Sequence, residues 1–115
     1  MSKQKINVVY LDDEALLCEI FKEFLHSNEI NITTFTDEKL AIAYCNRTKP
    51  ELIFIDYRLK TQTGIEVAEA ITHSAIKVLV TGELNVTSSA NFHSVIEKPY
   101  KLAEIKNFIQ SFVEV

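Results

Sequence analysis

The sequence predicts an α/β fold in which five parallel strands form one sheet, doubly wound by helices into a three-layer sandwich. Three observations predict it. Short apolar runs alternate with stretches of helical spacing, giving a βα unit repeated five times. Apart from the weak run Ile30 to Phe35, the runs show little polar alternation, as expected of strands covered on both faces, and such strands pair in parallel. Only two Gly and two Pro occur in 115 residues, too few for the turns of an all-β sandwich or barrel.

The first strand is predicted at Ile6 to Leu11, a run closed by two acids. After it, Leu17, Ile20, Phe21, Phe24 and Leu25 recur at helical spacing, with Glu19, Lys22 and Glu23 opposite, so the first helix buries that apolar face. Ile30 to Phe35 is the weakest strand. Ala41, Ile42 and Cys45 mark a second helix that ends before Pro50, and Leu52 to Ile55 forms a wholly apolar third strand closed by Asp56. Ile65, Val67, Ala68 and Ile71 mark the third helix, Ile76 to Val80 the fourth strand, and Val95 to Ile96 the fifth. A short fourth helix of one or two turns is expected within Leu84 to Ala90, where Asn, Thr and Ser compete for backbone hydrogen bonds. Leu102, Ile105, Phe108, Ile109 and Phe112 define the last helix.

The length predicts one domain over residues 1–115 with a radius of gyration of about 13 Å. A net charge of −4 gives no basic excess for a phosphate backbone or an anionic bilayer, so direct nucleic-acid and membrane partners are not expected. No apolar run approaches the roughly 18 residues of a spanning helix, and MSKQKI lacks a signal-peptide core; the expectation is a cytoplasmic protein. Cys18 and Cys45 form no CxxC and have no neighbouring His pair, which fits two reduced thiols, Cys45 packed in the interior and Cys18 nearer the surface. His26, His73 and His93 are too scattered to form a ligand set.

In a parallel sheet with right-handed crossovers, all strands end on one edge, and ligands bind along it. The polar residues at these ends are Asp12 and Asp13 after strand 1, Asp56 after strand 3, Thr81 after strand 4, and Lys98 after strand 5. Three carboxylates gathered there need a cation to remain ionised. Mg2+ suits them, because it is a hard oxygen-binding ion that takes one or two carboxylates and keeps waters or phosphate oxygens. With an ammonium and a hydroxyl beside it, Asp56 is placed for in-line phosphoryl transfer onto its own carboxylate. Simpler roles compete: Asp12 and Asp13 could cap the first helix, Thr81 could be an ordinary strand residue, and Lys98 a solvated charge.

Four stretches carry a resemblance: VVYLDDE, PELIFIDYRL with Gly64 eight positions beyond Asp56, VLVTG, and EKP. In order, and over essentially the whole chain, they resemble the response-regulator receiver domain, the CheY-like family, whose fold is flavodoxin-like. The resemblance implies that Asp56 accepts a phosphoryl group from the phosphohistidine of a sensor histidine kinase or phosphotransfer protein, or from a small phosphodonor. It further implies that Asp13, Asp56 and the backbone carbonyl of Arg58 hold Mg2+, with Asp12 acting through water. Thr81 and Lys98 would bind phosphoryl oxygens, and the Lys98-Pro99 bond would be cis. Such a domain is a signalling module that catalyses only its own phosphorylation and dephosphorylation and acts on a downstream protein target.

Three departures from the family pattern bear on output. Val95 stands where receivers usually carry a Tyr or Phe that swings inward as Thr81 engages the phosphoryl group. Only 17 positions separate Thr81 from Lys98, a shorter span than usual. Lys60 replaces a common Pro, predicting a less rigid loop before Gly64. Arg58 and Glu83, each two residues past a site residue, could form a salt bridge over the mouth or remain solvated. An alternative is therefore a receiver-shaped adaptor that no longer switches. An Asp-nucleophile phosphatase of the haloacid-dehalogenase type is disfavoured, since Arg58 occupies the place of that family's second Asp. No glycine-rich nucleotide-binding motif occurs.

Overall fold

Alternate residues of the central strands serve opposite layers, and this period of two builds the molecule. Ile6–Leu11 form β1, Ile30–Phe35 β2, Leu52–Asp56 β3, Ile76–Thr81 β4 and Ser94–Glu97 β5. All pair in parallel, in the order β2-β1-β3-β4-β5. This structure, a computed structural model, describes residues 5–83 and 92–113. Among them are four helices: α1 (Ala15–Leu25), α2 (Glu38–Thr48), α3 (Gly64–Ala70) and α4 (Leu102–Gln110), the last being the fifth of the sequence prediction. The weak fourth helix expected within residues 84–90 lies outside the described residues. The radius of gyration is 13.2 Å, close to the expected size.

Val8, Tyr10, Phe54, Val78 and Val80 point to one face and pack with Phe21 and Leu25 of α1 and Ile105 and Ile109 of α4. Val9, Leu11, Ile53, Ile55 and Leu79 point to the other, against Ala41 and Cys45 of α2 and Val67 and Ala68 of α3. Strands β1 to β4 are therefore held between two apolar layers, while the edge strand β5 has no buried residue and only its Ile96 packs against the first layer.

Two expectations about α1 are corrected. Its buried residues are Cys18, Phe21 and Leu25, while Ile20 and Phe24 are exposed together with Leu16. Cys18, expected nearer the surface, is buried and its Sγ faces the carbonyls of Asp12 and Phe35 at 3.4 and 3.6 Å. The apolar arc of this helix is wider than the face the sheet can cover, so spacing alone did not select which edge turns inward. Phe21 decides it by stacking on Tyr10, with ring centroids 4.0 Å apart.

Candidate functional site

β1 and β3 are neighbours, so the turn after one and the end of the other meet at a single edge. Asp12, Asp13 and Asp56 each place a carboxylate oxygen within 4.8 Å of the others. Between them reaches Lys98, whose Nζ lies 2.8 Å from Asp12 Oδ2 and 3.0 Å from Asp56 Oδ1. Thr81 ends β4 beside them, and its carbonyl receives the Lys98 N–H at 2.7 Å, which anchors the turn carrying the lysine. The Lys98-Pro99 bond is cis, as the resemblance implied.

Burial divides these groups into two roles. Asp12 has no solvent exposure and takes donors from Tyr10, Glu14 and Lys98, so its oxygens are already engaged. Asp13 and Asp56 instead line an open cleft of about 500 Å³, with Arg58, Thr81, Glu83 and Lys98 around it. Capping does not account for the acids: α1 begins after Glu14 with no side-chain cap. Burial pushes the Asp56 carboxyl from 3.8 to about 6; the Asp12 and Asp13 charges add to this and the Lys98 contact opposes it. Burial also pulls the Lys98 ammonium down, but hydrogen bonds and charges of Asp12 and Asp56 outweigh it and hold the group protonated. The donor set is all oxygen, acidic and open on one side, which fits a hard divalent cation such as Mg2+.

Arg58 donates to Glu83 across the mouth, so the ion pair considered in the sequence is formed between a well-exposed guanidinium and a partly buried carboxylate. Val95 lies on β5, 38% exposed, and does not line the cleft. The three histidines stay apart: His26 accepts from the Ile32 N–H, His73 meets the Pro50 carbonyl, and His93 meets Ser94 Oγ. Among the described residues, the acidic trio is the one cluster with metal-ligand geometry.

A model of the response regulator receiver domain matches residues 8–110. The chain belongs to this family. Receiver domains are modules of two-component, phosphorylation-based signalling, and the fold agrees with that assignment. A CheY-like receiver domain from Methylobacillus flagellatus superposes with a TM-score of 0.81 at 21% identity, over 96% of this chain and 98% of that one. The response regulator TrrA from Thermotoga maritima, solved in complex with Mg2+ and BeF, gives 0.79 at 22% identity, over 91% and 96%. In sequence, the receiver is 34% identical over 64 residues to the probable transcriptional regulatory protein TcrX of Mycobacterium tuberculosis, covering 56% of this chain and 27% of that protein. The chain thus spans little more than a quarter of the curated relative it matches. No helix among the described residues of the receiver is long and apolar enough to cross a membrane.

Sequence reasoning missed two contributors. Glu38 of α2 is buried and accepts hydrogen bonds from both the N–H and the hydroxyl of Thr61, holding the loop after Asp56. Nothing in the local pattern marks it, because its partner lies 23 residues away. Tyr10 was readable in part: a hydroxyl among the aliphatic residues that end β1, two positions before Asp12 and so on the same face.

Proposed function

We propose that this receiver, a single domain over residues 1–115, accepts a phosphoryl group on Asp56. One observation carries the reading: the Lys98 ammonium bridges Asp56 and Asp12 at the floor of an acidic cleft otherwise open to solvent. An Asp56 oxygen attacks the phosphorus of a phosphohistidine or acyl phosphate. The new O–P bond forms as the bond to the imidazole nitrogen or acyl oxygen breaks, and the leaving group takes its electron pair. Lys98 follows the charge that develops on the phosphoryl oxygens, and the Thr81 hydroxyl donates to one of them. Asp13, Asp56 and the Arg58 carbonyl are the groups that would hold Mg2+, with Asp12 acting through water; the ion would supply further neutralisation of phosphoryl charge. A histidine kinase or phosphotransfer protein is the natural donor, in the cytoplasm.

Acetyl phosphate with Mg2+ should add the mass of one phosphoryl group to the intact protein. Asp56→Asn should abolish the addition and Lys98→Ala should weaken it. If the wild type stays unmodified while an active receiver is labelled in parallel, the receiver-shaped adaptor becomes the better reading. Val95 supports a second element of the proposal, an atypical output: an aliphatic side chain on β5 cannot perform the inward swing of a ring.

A further inference from the structure

Tyr10 is fully buried, yet its hydroxyl has no part in the chemistry above. It donates to Asp12 Oδ2 at 2.9 Å and lies 2.7 Å from the Tyr100 hydroxyl. A phenol has one proton. Since Tyr10 gives its proton to Asp12, Tyr100 must be the donor in the tyrosine pair. The result is a directed chain from the Tyr100 hydroxyl through Tyr10 to the carboxylate that also grips Lys98.

We propose that Tyr10, backed by Tyr100, is a positioning residue that sets how the Lys98 ammonium is divided between Asp12 and Asp56. The role of this division in labelling rests on Asp56 as the phosphoryl acceptor. Asp12 is wholly buried, and a buried carboxylate that loses a donor draws harder on those that remain. Its remaining side-chain donor is Lys98, a point charge on a flexible stem that already spans both carboxylates at 2.8 and 3.0 Å. Tyr10 itself cannot drift, because its ring is stacked on Phe21 at 4.0 Å and tilted against Phe54 at 6.5 Å. By satisfying part of Oδ2, it leaves Lys98 shared with Asp56. Tyr100 strengthens that donation by polarising the Tyr10 hydroxyl.

The test compares wild type, Tyr10→Phe, Tyr100→Phe and the double variant. In metal-free protein, the Lys98 side-chain and Glu14 amide NMR signals report where the ammonium and the Asp12 carboxylate sit. Tyr10→Phe should shift both, and Tyr100→Phe should shift them less in the same direction. Because Tyr100 acts through Tyr10, its effect should vanish in the Tyr10→Phe background. Labelling of Asp56 by acetyl phosphate should slow about threefold to tenfold in Tyr10→Phe, since only part of a charge-assisted hydrogen bond is passed on through Lys98. Unmoved Lys98 signals in Tyr10→Phe, or independent and additive effects of the two variants, would overturn the proposal. Should Tyr10→Phe fold poorly, Tyr100→Phe at its half-buried site carries the same NMR test, and unmoved signals there count against the relay. Absence of labelling in wild type would instead refute Asp56 as acceptor, while the metal-free signals still decide the role of Tyr10.

Discussion

Asp56 is 7% exposed at the end of an apolar strand, and its charge is held there at a cost to the fold. Its carboxyl is raised to about 6 in the folded chain against 3.8 ordinarily, so the folded state holds the proton more tightly than the unfolded one. The destabilisation is absent below the unfolded value, grows as pH rises through the interval, and is complete above about 6. Asp56→Asn should therefore stabilise the metal-free protein at neutral pH, by about 1 kcal/mol once solvent at the open cleft and the freed Lys98 are discounted, and raise its thermal midpoint by a few degrees. Melting curves of the two proteins should converge as pH falls to about 3.8, and a gain that persists there would show that burial is not its cause. The same proton would block the oxygen proposed to attack, so acetyl phosphate labelling should fall in acid, at a pH below the metal-free value because bound Mg2+ favours the ionised carboxylate.

At the scale of elements, the segment between β3 and α3 decides how well Asp56 is held. Lys60 in place of Pro predicts a looser loop, but its shape is fixed from outside by the Glu38 clasp on Thr61 and from within by the Arg58–Thr63 bridge. The loop ends in a capping box, Thr63 with Glu66, and the Gly64 N–H returns to the Tyr57 carbonyl at 2.7 Å. Gly64 is required by proximity: a Cβ there would fall 2.5 Å from the Asp56 carbonyl oxygen and 3.0 Å from Ile55 Cγ2. Gly64→Ala should push α3 away from β3 and cost about 1–3 kcal/mol in denaturant titrations. Glu38→Ala should cost about 1–2 kcal/mol and speed amide exchange across residues 57–63, since two donors lose their acceptor. Unchanged exchange would mean that the internal bonds of the loop suffice without the clasp.

For the whole molecule, the acidic edge joins residues from four strand ends that the unfolded chain keeps far apart. A cation that binds there has no equivalent site in the unfolded chain, so Mg2+ should stabilise the fold, by about 2.7 kcal/mol at a hundredfold excess over its dissociation constant. Thermal melts with and without Mg2+ read this directly, and Asp13→Ala should lose most of the rise. The output movement should extend less far. Beryllofluoride, a phosphoryl mimic, should protect residues 57–64 and 81–83 from hydrogen exchange while β5 and α4 change little. New protection spreading from Val95 to Phe108 would reveal a large output movement after all.

Periodicity and turn residues determined much of this protein. All five strands were readable, because short apolar runs alternate with stretches of helical spacing, and the run Leu52 to Ile55 is buried at every residue. Asp12, Asp13, Asp56, Thr81 and Lys98 were readable as a group, because parallel topology sends every strand end to one edge. Tertiary structure decided what depends on long-range partners. It turned Cys18 inward and left Ile20 and Phe24 outside, since a helix with apolar residues around more than half its circumference is oriented by the ring it stacks on, here Tyr10. It joined Glu38 to Thr61, Arg58 to Glu83, and Tyr100 through Tyr10 to Asp12. Local patterns record which face a residue occupies; which distant donor meets its oxygen is settled only when the layers close.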